Sequence, residues 1–195
     1  MSKADQVYNY VSNKVFYLSQ SGSKQSANLA KLRRGLGKTP GASPEIWEVT
    51  LADLPGDLAG YDGDPSYAEW AIHVALTLFA AHQQGKAETV NASGVLFGGA
   101  VSQLIDPDRS NEDGIKRRFD AALTSDGLNE FAHHARGLVQ LMRARDVKMD
   151  YPLFARNIYD YQFVESKDRV RLRWGESYYR IDSQSETDQE GAQNE

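Results

Sequence analysis

Residues 31–41, KLRRGLGKTPG, contain Gly37-Lys38-Thr39, the residue types with which a phosphate-binding loop closes. That loop is G-x-x-x-x-G-K-[ST], set between a strand and a helix so that backbone N–H groups and the helix start cradle phosphate. Here the first glycine should stand at position 32, which is Leu32. The stretch follows a helical pattern instead of a strand, Pro40 sits where the new helix would begin, and no apolar run ending in Asp follows to hold magnesium. Nucleotide binding is not supported, and Gly35 and Gly37 read as glycines that end a helix.

The other chemistry-bearing residues give no site either. His133 and His134 are adjacent, about 100° apart on a helix, and do not share a metal as an i, i+4 pair would. His73 and His82 lie nine residues apart on one helix and off a common face, so each reads as a hydrogen-bonded group at a core edge. Asp57, Asp62 and Asp64 lack the spacing and the closing Glu of a calcium loop and read as solvated surface. There is no cysteine, hence no disulfide, thiolate ligand or cysteine nucleophile, and no G-x-S-x-G elbow. Nothing singles out a catalytic pair among the 27 acids. The expectation is a protein without catalytic residues, metal or cofactor.

The cations stand out. Lys31, Arg33, Arg34 and Lys38 fall within eight residues, and residues 27–41 hold four bases and no acid. Lys116, Arg117 and Arg118 are consecutive. Arg136, Arg143, Arg145 and Lys148 run down one helix and past its end. Such stripes bind phosphates through charge and hydrogen bonds without reading sequence. The competing reading is a set of solvated helix faces paired with local acids. The net charge of −5 hides this distribution. Residues 182–195 carry five acids and no base, leaving 22 acids and 22 bases before them. Residues 42–70 hold seven acids and no base, whereas Lys116–Arg173 holds twelve bases and eight acids. The chain is electrically bipolar.

The elements that must position these charges read as helices. The spacing predicts a helix over 4–18, with Val7, Tyr10 or Val11, and Leu18 on one face. A second spans 27–36, with Leu29, Leu32 and Leu36 on one face and Lys31, Arg33 and Arg34 off it. Residues 42–66 read as loop with a short helix near 46–50. The stretch 68–85 is apolar on nearly all sides, the pattern of a central buried helix. Residues 93–105 suggest another, weakened by Gly94, Gly98 and Gly99. Ser110 and Asp113 resemble a capping start for a helix over 114–123. That start would place Lys116–Arg118 against the helix dipole, a cost that points to a partner.

Over 128–145, Leu128, Phe131, Ala135, Leu138 and Met142 form a core stripe, and His133, Arg136, Gln140 and Arg143 fall on the opposite one. Asp150 caps a further helix with Pro152 in its first turn. Residues 167–180 fit a helix or an alternating strand, and the helical context favours helix. The fold class is therefore all-α, with two small helical bundles in one chain, 1–106 and 107–181, and a disordered acidic tail at 182–195. No signal peptide and no apolar run of membrane-spanning length is present, so a soluble, cytoplasmic protein with no membrane partner is expected.

LAKLRRGLGKTPG, HVALTLFAAHQQG, RRFDAALTSDGLNEFAHHARGLVQLMR, MDYPLFARNIYDYQ and VRLRWGESYYR resemble, in order, segments of the CasB family, the small subunit of the type I-E CRISPR Cascade complex. They cover most of residues 27–180. The N-terminal helix, the 42–66 loop and the acidic tail carry little of the likeness. The resemblance implies two helical bundles with no enzymatic activity. It implies two copies of the subunit, head to tail, against the backbone and large subunits, touching the guide RNA, the target DNA and the displaced single strand. It implies nucleic-acid contacts at Arg33, Arg34, Lys38, Arg117, Arg118, Arg136 and Arg143. Arg136 equally suits a structural ion pair, and Arg169, Arg171 and Arg173 suit subunit contacts or packing as readily as nucleic acid. A scaffold that docks only on protein is the alternative.

Overall fold

The computed structural model describes residues 1–180, which form nine α-helices and two short 3-10 turns, with no strand among the described residues. The acidic tail at 182–195 lies outside the described residues. Helix α1 is Lys3–Leu18 and α2 is Ser23–Gly35; the 3-10 turns Pro40–Ala42 and Pro44–Ile46 lead into the single turn α3, Trp47–Thr50. Then come α4 Tyr67–His82, α5 Phe97–Ser102, α6 Glu112–Leu123, α7 Leu128–Ala144, α8 Tyr151–Tyr161 and α9 Val164–Tyr179.

Local chemistry sets the helix starts. Ser2 Oγ accepts from the Asp5 amide at 3.1 Å to open α1. At α4, Ser66 and Glu69 form a reciprocal capping box, each side chain accepting from the other's backbone N–H. Asp150 opens α8 by accepting from Leu153 N at 2.8 Å, and its second oxygen accepts from Gly94 N at 2.7 Å. The cap therefore also anchors the 90–95 loop.

Helix α4 is the support of the molecule. It is buried along most of its length and packs against α1, α2, α7 and α8. Helix α1 lies along α8, α5 along α9, and α6 along α7. The α9 residue Trp174, fully buried, sits in an aromatic cluster: its ring stacks on Phe131 at 5.5 Å and meets Phe97 at 5.3 Å and Tyr161 at 5.9 Å. Buried residues from α1 to α9 join in one apolar cluster. Among the described residues no helix is long and apolar enough to cross a membrane.

Three elements differ from the sequence reading. Helix α5 is only Phe97–Ser102, because Gly94 adopts φ 81° and residues before it follow the loop anchored by Asp150. Helix α6 starts at Glu112, and Asn111 precedes it without a side-chain cap. The Ser110–Asp113 cap does not form. Glu112 and Asp113 thus occupy the first turn, favourably for the dipole, and Lys116–Arg118 lie beyond it. The electrostatic cost expected of that cationic run is absent. Helix α2 begins four residues early, at Ser23.

Candidate nucleic-acid interface

The motif that resembled a nucleotide loop is a helix end. Gly35 is the last residue of α2, and a Cβ there would lie 2.8 Å from Ile46 Cδ1. Its carbonyl accepts from His73 Nε2 of α4 at 3.2 Å, so the ring nitrogen carries the proton toward Gly35. Gly37 turns the chain with φ 79°, a conformation that glycine adopts without cost, and presents Lys38 in the loop that follows. The last turns of α2 and this loop are thereby fixed on α4.

Helix α7 is fixed on the same support. Its stripe Phe131, Ala135, Leu138, Val139 and Met142 is buried, which turns His133, Arg136 and Gln140 to solvent and leaves Arg143 half-buried. The two cationic motifs, about a hundred residues apart in the chain, converge through α4. Arg33 and Arg143 come close enough to feel each other's charge. Burial, then the nearby Arg143 and Arg34, hold the Arg33 guanidinium below its ordinary pKa range. Arg143 is steadied by donating to Gln84 Oε1 at 3.0 Å. Arg33, Gln84 and Lys86 line a polar groove of about 420 Å³ between α2 and the turn after α4. Farther along, Lys38 and Arg136 border a second cavity of about 300 Å³ that also touches Trp70, His73 and His133.

The ten cations singled out in the sequence divide into two groups. Lys31, Arg33, Arg34, Lys38, Arg117, Arg118, Arg136 and Arg143 have no carboxylate oxygen within 4.0 Å among the described residues. For Arg136, the structural ion pair is therefore not formed there. Arg145 instead pairs with Asp106 at 2.7 Å and donates to the Leu104 carbonyl at 2.6 Å, tying the end of α7 to the segment before α6. Lys148 pairs with Glu88 at 3.1 Å. Arg117 and Arg118 are exposed on α6 and share no cavity with the α2–α7 surface. Their neighbour Lys116 pairs with Asp120.

On α9, Arg171 donates to the Leu123 carbonyl at 2.7 Å and lies over the Tyr161 ring, while Arg173 donates to Asn157 Oδ1 at 3.0 Å. Both hold the fold together. Trp70 lines this surface, as does Lys86, which is paired with Asp146, and neither was foreseen: Lys86 is isolated in sequence, and Trp70 sits in a helix whose apolar residues show no bare face. Among the described residues no group of three His, Asp or Glu is placed to hold a metal.

A family model described as CRISPR-associated protein Cse2 matches residues 28–179. Among solved structures, the crystal structure of CasB from Thermobifida fusca is 29% identical, with a TM-score of 0.76 over 90% of this chain and 98% of that one. The crystal structure of M. ruber CasB shares the fold at 22% identity, with a TM-score of 0.66 over 91% of this chain and 97% of that one. No curated protein matches the chain.

Proposed function

The chain belongs to the Cse2/CasB family, the small subunit of type I-E Cascade in CRISPR defence, and on that premise we propose that it is a non-catalytic, cytoplasmic subunit that stabilises the R-loop by contacting phosphates. The observation that carries this reading is the convergence of Arg33 from α2 with Arg143 from α7 at Gln84, neither with a carboxylate within 4.0 Å among the described residues. Like charges held together oppose folding unless an anion meets them. A phosphate track supplies that anion. The exchange of a DNA duplex for an RNA–DNA heteroduplex is nearly balanced, so modest backbone contacts tip it.

In this reading Lys31, Arg33, Arg34, Lys38, Arg136 and Arg143 form one track on guide RNA, target DNA or displaced strand, and Arg117 and Arg118 a separate contact. The backbone and large subunits and a second copy of the chain complete its surroundings. A pure protein scaffold is the second reading. It draws on the ion pairs of Arg145 and Lys148 and on the exposed Phe16, Leu172 and Tyr179.

The deciding experiment is a gel shift of the isolated protein on single- and double-stranded DNA at low and moderate salt. Beside it runs a variant with Arg33, Arg34, Arg117, Arg118, Arg136 and Arg143 changed to Ala. Weak binding that salt and the variant both abolish, with helicity retained, is expected. No shift with either protein at low salt favours the scaffold.

A further inference from the structure

The cavity between the loop after α2, helix α4 and helix α7 is less open than the groove beside Arg33, and its walls are of a different kind. Trp70 and His133 line it together with His73, Asn129, Lys38 and Arg136. His73 is 2% exposed. Its Nε2–H donates to the Gly35 carbonyl, which holds the ring against the loop after α2. Neither bordering cation has a carboxylate within 4.0 Å among the described residues.

We propose that this cavity takes one unstacked nucleobase of a single strand, with Lys38 and Arg136 holding the phosphates on either side of it. A single strand presents a flat π-face between two anions, which matches the aromatic side chains and the two cations of the lining. The volume of about 300 Å³ is at the small end of ligand cavities, suited to one base and not to a stacked pair. The site tolerates any base, because every base has a stacking face, and it fixes the register of the strand on the α2–α7 surface. This rests on the reading of that surface as a phosphate track.

The test compares three short oligomers of equal length at low salt: oligo-dT, oligo-U, and an abasic deoxyribose-phosphate backbone. Binding is read by anisotropy and by tryptophan emission on the full chain. A base-bearing strand is expected to bind about tenfold more tightly than the abasic one, the effect of one stacked base, and to quench emission that the abasic strand leaves unchanged. Ala132→Phe, which fills the cavity, and Trp70→Ala should remove the difference while keeping abasic affinity. The quench should vanish in Trp70→Ala. A preference between dT and U identifies which strand is held.

Equal affinity of dT, U and the abasic backbone for the wild-type protein overturns the pocket and leaves the phosphate track standing; this arm does not depend on any variant folding. Persistence of the difference in a folded Ala132→Phe protein also overturns it. Failure of all three oligomers to bind overturns the track, and the pocket with it.

Discussion

His82 is fully buried at the end of α4, with Nδ1 3.0 Å from the Tyr151 hydroxyl and no partner for Nε2. Burial dominates its titration and pushes its pKa down from 6.5 to about 4, with nearby Lys86 and Arg143 acting in the same direction. The folded state therefore binds fewer protons than the unfolded chain between those values, so stability rises with pH across that window. The contribution is intact above pH 6.5 and is lost progressively toward pH 4, by about 3 kcal/mol in full. Thermal unfolding between pH 4 and 7 should show this as a falling midpoint on acidification. In His82→Asn, less stable at neutral pH, that slope should be shallower; an unchanged slope would assign acid sensitivity to other groups. At this scale the sequence displayed which cations cluster but not which are already paired. Arg145 and Asp106 are 39 residues apart, and no local spacing announces a pair closed only by tertiary packing. The same holds for Arg33 and Arg143, whose proximity is a product of α4.

The short helix α5 owes its position to a glycine. A Cβ at Gly98 would fall 1.8 Å from the carbonyl oxygen of Trp174, so the backbones of α5 and α9 touch there, whereas a Cβ at Gly99 would meet the Ser177 carbonyl at 3.5 Å. Gly98→Ala should force the helices apart and cost roughly 1–3 kcal/mol or more. Gly99→Ala should be near neutral or gain up to about 1 kcal/mol from helix propensity. Denaturant titration of both variants checks this, and equal midpoints would refute the close contact. Of the three glycines read from sequence as weak points, Gly94 turns the chain, Gly98 is a spacer and Gly99 is tolerated, and the facing helix makes the difference between the last two. Helix α9 shows a related effect. Arg169, Arg171 and Arg173 alternate with apolar residues as in a strand, yet Leu172 is 63% exposed while Val170, Trp174 and Tyr178 are buried four apart. The helical period wins because burial follows it. Strongly amphipathic α7 and apolar α4 were legible throughout, since a long core stripe leaves little choice of structure.

Across the molecule, charge follows the axis of α4. Gly60 and Ser66 bind Glu69 at its N-terminal end, beside the acidic loop that carries Asp57, Asp62 and Asp64. The groove with Arg33 and Lys86 lies at its C-terminal end. The Arg33 end of the surface therefore lies about 24 Å from the acidic loop, more than a Debye length at physiological salt, whereas Lys38 and Arg136 reach back beside Trp70 and His73 in the first half of α4. A polyanion approaching the Arg33 end is thus little repelled by the acidic loop. The bipolarity was visible in the sequence; its alignment with one helix was not, because it depends on α2 running back along α4. Buried residues from both halves of the chain share one apolar cluster, with α1 and α4 against α8 and α4 against α7, so the proposed track on α2 and α7 exists only when both halves are folded. Salt dependence then separates binding cations from structural ones. Replacing Arg33, Arg34, Lys38, Arg136 and Arg143 by Ala should flatten the plot of log affinity against log salt by about 0.7 for each single-strand phosphate that the variant no longer neutralises. Replacing Arg145 and Lys148 should leave that slope unchanged and lower stability by about 0–1 kcal/mol for each exposed pair. If the Arg145 and Lys148 variant flattens the slope as much as the other, those two residues exchange their carboxylates for phosphates on binding, and the track extends past the end of α7.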